Sequence, residues 1–363
     1  FDQDLSSWNV SNVTNMNVMF FGTESLSDIN KCSIDSYWSY SNIWPYEWSE
    51  FCYQFATKEE LQTAVDLWVS DSSAALGNYG KLNTWDVSLI TDMADLFGNK
   101  STFDSDISNW DVSSVTNMRN MFGGCVLFNS DLSSWDVSNV ISFTGMFNGC
   151  RLFESDLSGW DVSNALEMIE MFNEANSFNS DLSNWNVSSA LNMNGMFVGC
   201  TLFESDLSGW DVSNVANTAN MFRNAPNFDS DLSTWNMSNA LNIQGMFADA
   251  SSFNSDLSNW DISNVTDMRE VFYNTPSFNQ DLSNWDISSV IFMDNIFGGD
   301  IGLSAQNQCA IHEAWSYNDA WPYIWECLNI AHVENHYMIL EDYELVIDLH
   351  IETVFDSLFL TLH

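Results

Sequence analysis

A 25-residue unit recurs through most of this chain without an insertion. Residues 128 to 152 read FNSDLSSWDVSNVISFTGMFNGCRL, and residues 153 to 177 begin again with FESDLSGWDVSN. Nine tryptophans stand 25 residues apart and mark the register: Trp85, Trp110, Trp135, Trp160, Trp185, Trp210, Trp235, Trp260 and Trp285. Self-similarity at a fixed period is the sequence signature of a repeat architecture. One unit is too small to bury its apolar side chains alone, so the units must stack into a solenoid.

Two patterns of apolar residues follow each other within every unit. The residue three before the tryptophan is Leu or Ile and the residue two after it is Val, Ile or Met, which predicts a short strand. Apolar residues 5, 8 and 12 positions after the tryptophan predict a short helix, and a serine such as Ser138 can cap its first turn. The predicted fold is an α/β repeat, a leucine-rich-repeat-like solenoid of nine strand–helix rungs with parallel strands about 4.8 Å apart.

The chain also has a second, longer period of 277 residues. The segment CSIDSYWSYSNIWPYEW at 32 to 48 matches CAIHEAWSYNDAWPYIW at 309 to 325. We therefore expect a tandem array of capped modules. The predicted parts are the last rung of a preceding module (1–22), a Cys/Trp-rich C-terminal cap (23–56), an N-terminal capping helix (57–77), the nine-rung solenoid (78–300), a second Cys/Trp-rich cap (301–330) and a tail with a β-strand or docking segment (331–363).

The segments that flank the solenoid have patterns of their own. Residues 57 to 69, TKEELQTAVDLWV, place Thr57 and Glu60 at capping-box spacing and predict an amphipathic helix over the open end of the first rung. In the tail, apolar residues alternate with acidic or His residues from 343 to 351, which predicts a strand with an exposed edge.

The charge of the chain limits its partners. Fifty acidic side chains against eight basic ones give a formal net charge of −42. Such a polyanion repels nucleic acid and anionic lipid, so neither is an expected partner, whereas cations are. No run of about 18 apolar residues is present that could span a bilayer, and we expect no membrane insertion.

The repeat motif is specific enough to suggest a family. It reads D-L-S-x-W-D-V-S-x-V-T-x-M-x-x-M-F, with Phe-Asn at the start of the next unit. Over residues 78–300 and 1–22 it resembles the BspA-like surface-protein repeats, a branch of the leucine-rich-repeat-like proteins. The resemblance implies a secreted or cell-surface protein of adhesion and interaction. It brings no catalytic residues with it.

Aspartates form two files along the predicted solenoid, one four positions before the tryptophans and one directly after them. Stacked carboxylates about 5 Å apart repel each other by roughly 0.8 kcal/mol per pair even in water. Calcium or another divalent cation could relieve that repulsion; the alternative is that each Asp accepts backbone N–H groups at a turn. The candidate metal ligands are the first file: Asp106, Asp131, Asp156, Asp181, Asp206, Asp231, Asp256 and Asp281.

Four cysteines lie in the two matching caps. Cys32 and Cys52 are 20 residues apart, and Cys309 and Cys327 are 18 apart. Their similar surroundings predict two local disulfides, which in turn favour an extracellular location.

The other three cysteines, Cys125, Cys150 and Cys200, share one repeat position with alanines. A small buried side chain is expected there, which favours free thiols, although Cys125 and Cys150 in adjacent rungs could also bridge.

Six Asn-x-Ser/Thr sequons are candidate glycosylation sites: Asn9, Asn12, Asn99, Asn186, Asn236 and Asn264. Three of them, at positions 9, 186 and 236, stand where other units carry Asp after the tryptophan and can be accidents of the repeat.

These observations favour an extracellular structural or adhesive repeat protein at the cell surface that assembles head to tail into a fibre or surface layer. The first rung cannot bury its apolar side chains alone, so either an upstream stretch of the same polypeptide or another copy would stack on it. In the second case residues 1–56 of one copy would contact residues 301–363 of the next. The alternative is a recognition solenoid that binds a protein or glycan partner, such as a cell-surface protein. We expect no enzymatic activity, because no catalytic or nucleotide-binding motif is present, and no cofactor beyond the divalent cations considered above.

Overall fold

The computed structural model describes residues 1–327, and the strand predicted at 343–351 lies outside them. Residues Phe1–Trp325 form one compact unit. The α-helices of the described residues all lie outside residues 85–300. They are α1 (Asp28–Trp38), α2 (Lys58–Ser70), α3 (Ser72–Tyr79) and α4 (Ala305–Trp315), with short 3-10 turns at Ser49–Phe51 and Leu82–Thr84. Within residues 1–327, no helix is both long and apolar enough to cross a membrane.

The predicted strand–helix rung is wrong. From residue 85 to residue 300 the structure contains neither a helix nor a strand. Neighbouring units meet in isolated parallel bridges, one for each step from Asp92 to Phe292. The units do stack in tandem, but each rung is a succession of tight turns rather than a strand followed by a helix.

Hydrogen-bonded turns replace the expected strand around each tryptophan. The Trp135 amide donates to the Leu132 carbonyl at 3.1 Å, which closes a turn over the residues where extended backbone was expected. Directly afterwards, Asp136 Oδ1 accepts the Ser138 amide at 3.0 Å. Ser138 therefore closes a turn with Asp136 instead of capping a helix. The alternation of buried residues comes from these turns and not from a pleated strand.

Left-handed residues prevent the expected helix. The backbone φ is positive 10 and 14 positions after the tryptophans, as at Asn120 (φ 48°) and Gly124 (φ 77°). A right-handed helix needs negative φ throughout, so two such residues per rung exclude it. Only Gly, Asn, Asp and Glu occupy these positions in the nine units, and Gly adopts positive φ at little cost.

Amides that a helix would have used internally pair with the next rung. The Met118 and Phe122 amides donate to the Ser142 and Met146 carbonyls at 3.0 and 2.9 Å, and the same pattern recurs along the stack. One end of the stack is therefore left with free carbonyls and the other with free amides. Both ends need partners, because unpaired buried backbone groups are costly.

Aromatic side chains form continuous files through the core. Nine phenylalanines from Phe97 to Phe297 stack at 5.4 to 5.9 Å between ring centroids. Each tryptophan from Trp110 to Trp285 donates its indole N–H to a backbone carbonyl 28 residues earlier, at 2.8 to 3.2 Å. Every rung thus buries its apolar groups against the rung before it.

The N-terminal cap is built from two helices, not from the single helix predicted over 57–77. Thr57 is the N-cap of α2, as predicted, and accepts the Glu60 amide at 3.2 Å. From α2, Gln62 Nε2 donates to the Leu96 carbonyl at 3.0 Å. The cap therefore satisfies one of the free carbonyls of the first rung.

The two Cys/Trp-rich caps repeat each other in structure as in sequence. The Tyr46 hydroxyl accepts the Phe20 amide, and the Tyr323 hydroxyl accepts the Phe297 amide, both at 3.0 Å. Each cap also holds a near-perpendicular tryptophan pair with ring centroids 5.5 Å apart: Trp38 with Trp44, and Trp315 with Trp321. Each cap thus supplies an acceptor for a free amide at the C-terminal end of its stack.

Candidate functional surfaces

The aspartates proposed as metal ligands all lie on the surface, and each one closes a local turn. One carboxylate oxygen accepts the backbone amide two residues later, at 2.9 to 3.0 Å. This arrangement holds for Asp106, Asp131, Asp156, Asp181, Asp206, Asp231, Asp256 and Asp281. It supports the turn interpretation, because such Asx turns need no cation.

Local hydrogen bonds outweigh repulsion within the files. The Ser133 amide and hydroxyl hold the pKa of Asp131 below its usual range, although partial burial and the charge of Asp156 act in the opposite direction. The pKa of Asp206 is also lowered, mainly by the hydrogen bond from the Ser208 amide. Asp131 and Asp206 therefore carry full negative charge at neutral pH.

The aspartates do not converge on a common point. Among residues 1–327, no three carboxylate, thiol or imidazole groups come together in a way that could hold a metal ion. The files are lines of single carboxylates, one in each rung.

The first predicted disulfide is present. Cys32 on α1 is bonded to Cys52, which directly follows the 3-10 turn at Ser49–Phe51. The bond links the end of the first cap covalently to α1.

The second predicted disulfide, between Cys309 and Cys327, is not formed in the described structure, where Cys309 on α4 keeps its thiol. The sequence offset explains the difference. At the 277-residue period Cys309 aligns with Cys32, but Cys327 aligns with position 50 and not with Cys52.

The three cysteines of the repeat are buried free thiols, and no bond joins Cys125 to Cys150. Each thiol lies 3.0 to 3.1 Å from a backbone carbonyl of the preceding rung. Burial raises the pKa of the Cys125 thiol to about 12. These residues therefore act as small core side chains, as expected, and not as reactive sites.

The six sequon asparagines are exposed, but they differ in what their side chains do. Asn186 and Asn236 replace Asp and accept the amides of Ser188 and Ser238, at 3.2 and 3.1 Å. Asn264 Nδ2 donates to a carbonyl of the preceding rung at 2.8 Å. A glycan on Asn264 would replace that hydrogen bond. Asn99 has positive φ in a turn, and Asn9 and Asn12 lie in the first rung.

The first rung, residues 1–22, presents an uncovered apolar face. Trp8 is 57% exposed, whereas the tryptophans of the nine later rungs are 2 to 4% exposed. Val13 and Met19 are also exposed, although the same repeat positions are buried in the solenoid. Phe21 adds a further ring that is 87% exposed. We call this set the open face.

A small cavity of about 360 Å³ lies beside the Cys32–Cys52 bond. Its walls combine apolar and aromatic side chains of the first cap with groups from the end of α3. They include Phe51, Tyr53, Tyr79, Asp28, Gln54 and Asn78. Sequence patterns gave no sign of this cavity, because its residues come from three separate segments.

A known protein family covers most of the chain. The family described as "Mycoplasma protein of unknown function, DUF285" matches residues 1–53, 69–169, 138–232 and 203–309. The chain belongs to this family. The DUF285 match recurs in tandem along this chain. The description of the family assigns no activity. The narrower resemblance to BspA-like repeats is not confirmed.

No curated protein matches this DUF285 chain. Among solved structures it is similar to an LRR protein of Leptospira interrogans, with 7% identity over 62% of this chain and 74% of that one and a TM-score of 0.16. A likeness this low carries no argument about fold or function.

Proposed function

We propose that this chain is an extracellular or cell-surface repeat protein with a structural or adhesive role rather than a catalytic one. The observation that carries the proposal is the open face of residues 1–22, where Trp8 is exposed although nine equivalent tryptophans are buried. An apolar face of this kind gains free energy by stacking on another surface. The Cys32–Cys52 bond supports an oxidising compartment outside the cell.

In the proposed assembly the copies join head to tail, with residues 1–56 of one copy against residues 301–363 of the next. Within the described part of the second region, Tyr317 and Ile324 offer apolar groups, and they are 62% and 93% exposed. A contact between two different surfaces repeats without limit unless it closes into a ring, so it produces filaments.

The test is sedimentation velocity of the full chain over a range of concentrations. Phe21→Asp and Ile324→Asp each place a charge in one half of the proposed contact, so both variants should remove the large species. Leu76→Asp is the matched control, because Leu76 on α3 is also exposed but lies outside the contact. If the wild-type chain stays monomeric at high concentration, or if Leu76→Asp acts like the other two, the assembly proposal is wrong.

A second candidate function, recognition of a glycan, is favoured by the cavity beside the disulfide. Its volume of about 360 Å³ is within the usual range for small-ligand sites. Aromatic rings together with amide and carboxylate groups are suited to the faces and hydroxyls of a sugar. Calorimetric titration with short oligosaccharides tests this function: Tyr79→Ala should abolish binding, and an intact chain that binds none of them would rule it out.

A further inference from the structure

The two Cys/Trp-rich caps differ in the acceptor of one central hydrogen bond. In the first cap, Trp44 Nε1 donates to Asp35 Oδ1 at 2.7 Å, and the same oxygen accepts the Trp48 amide at 3.2 Å. In the second cap, the 277-residue period places His312 where the first cap has Asp35. Trp321 Nε1 donates to Nδ1 of His312 at 2.9 Å. An imidazole nitrogen thus takes the place of a carboxylate oxygen.

The acceptor on His312 exists only in the neutral ring. A neutral imidazole has one nitrogen that accepts and one N–H that donates, whereas an imidazolium has two N–H groups and no acceptor. Because Nδ1 accepts the Trp321 indole, the proton of the neutral ring is on Nε2. A second proton would have to bind at Nδ1. Protonation of His312 and this hydrogen bond therefore exclude each other.

We propose that His312 makes the second cap an acid-sensitive closure of the stack, whereas the first cap does not respond to the same change of pH. An imidazole in water takes up its proton near pH 6.5. The position of His312 in the last turn of α4, at the negative end of the helix dipole, favours the charged ring. The net charge of −42 acts in the same direction. A carboxylate such as Asp35 keeps its acceptor oxygens in this range of pH.

The charged groups on the elements packed around His312 lie on α4, on the segment after it and on the last rung. They are Glu313, Asp319, Glu326, Asp286, Asp294 and Asp300. Within residues 1–327, no carboxylate oxygen lies within 4.0 Å of a ring nitrogen of His312. These carboxylates therefore favour the proton only at longer range. The phenol of Tyr323 and the thiol of Cys309 titrate above this range of pH.

The indole that would lose its acceptor lies at the centre of the cap. The Trp321 ring is perpendicular to those of Trp315 and Trp325, with centroids 5.5 and 5.2 Å apart, and its centroid is 5.3 Å from that of Tyr323. The Tyr323 hydroxyl in turn accepts the Phe297 amide of the last rung. A donor without an acceptor favours movement of the indole towards water. Acid should therefore loosen the packing that holds Tyr323 over the end of the stack.

Hydrogen exchange of the full chain in dilute solution, followed by mass spectrometry, tests this switch. Residues 32–48 of the first cap are an internal reference for the matching residues 309–325 of the second. Protection is compared at about pH 7.5 and about pH 5.5, on either side of the ordinary histidine titration, after correction for the intrinsic exchange rates. On acidification the protection of 309–325 should fall about fivefold or more relative to that of 32–48, because a partly buried donor is left unpaired.

Exchange of the acceptors between the caps separates the switch from a purely structural role. His312→Asp gives the second cap the acceptor of the first and should remove its response to acid. Asp35→His should transfer that response to residues 32–48. His312→Ala removes the acceptor at both pH values, so protection should be low at both. Glu313→Gln is the matched control, because Glu313 is exposed next to His312 and its loss should leave the response unchanged.

Two results would overturn the proposal. One is a wild-type chain in which the protection of 309–325 relative to 32–48 is the same at both pH values. The other is a His312→Asp variant that responds to acid as the wild type does, which would assign the response to carboxylates elsewhere. The switch is internal to one chain, so neither result bears on the head-to-tail assembly proposed above.

Discussion

At the residue scale, the aspartate after each tryptophan acts through one oxygen atom. Asp161 Oδ1 accepts the Ser163 amide at 3.0 Å and so fixes the turn that follows Trp160. Asn186 does the same in the next rung with its amide oxygen. The structure thus explains why the repeat alternates between Asp and Asn at this position: the turn needs an acceptor and not a charge.

This role predicts different effects of two substitutions at one site. Asp161→Ala removes the acceptor and should lower the free energy of unfolding by about 0.5–1 kcal/mol, the net worth of one exposed hydrogen bond. Asp161→Asn keeps the acceptor and should be nearly neutral. Urea unfolding followed by tryptophan fluorescence measures both. Equal losses in the two variants would show that the charge matters, as a bound cation would require.

The lowered pKa values predict acid sensitivity. The pKa of Asp131 and of Asp206 is below the ordinary value because of hydrogen bonds from Ser133 and Ser208. A carboxyl whose pKa is lower in the folded state stabilises the fold above its unfolded pKa, near 3.8, and this contribution disappears as pH falls through the folded value. The melting temperature should therefore fall as pH decreases below about 4. A melting temperature that rises on acidification would show instead that repulsion between the files dominates.

At the scale of the rung, the path of the backbone depends on residues with positive φ. Gly145 has φ 62°, and a Cβ there would clash with Asn120 Oδ1 of the preceding rung. From Asn120 to Glu270, neighbouring rungs thus alternate at this position between a residue with a side chain and a glycine that leaves room for it. The rung geometry and the packing between rungs are set at the same position.

Alanine substitutions at two glycines test this geometry. Gly145→Ala should lower the free energy of unfolding by about 1–3 kcal/mol, through left-handed strain and displacement of Asn120. Gly159→Ala should change it by less than about 0.5 kcal/mol, because Gly159 has no atom within 4 Å of the added carbon and no positive φ. Denaturant unfolding of both variants measures the difference. Equal effects would contradict the rung path described here.

Three features could be predicted from the sequence: the stacking of the units, the similarity of the two caps and the helix start at Thr57. Each follows from the spacing of matching residues along the chain or from apolar residues that must be buried. The interior of the rung could not, because apolar residues 5, 8 and 12 positions after the tryptophan fit both a helix and a series of turns. The sequence signal that separates them is the Gly or Asn found at most of the positions 10 and 14 residues after the tryptophans, as at Asn120 and Gly124.

At the scale of the whole molecule, caps cover both ends of the nine-rung stack. Helix α2 covers the first solenoid rung and the cap with Tyr323 covers the last, while the rung of residues 1–22 is covered on one side only. Trp8 and Phe21 are exposed, and nothing within residues 1–327 covers them. This asymmetry is the basis of the proposed assembly.

Electron microscopy of the purified full chain tests that account most directly. The wild-type protein should form filaments that lengthen with concentration, and Phe21→Asp should reduce them to single particles of uniform size. Uniform single particles of the wild-type chain at every concentration would contradict the account, because the open face of residues 1–22 would then be stable in water without a partner.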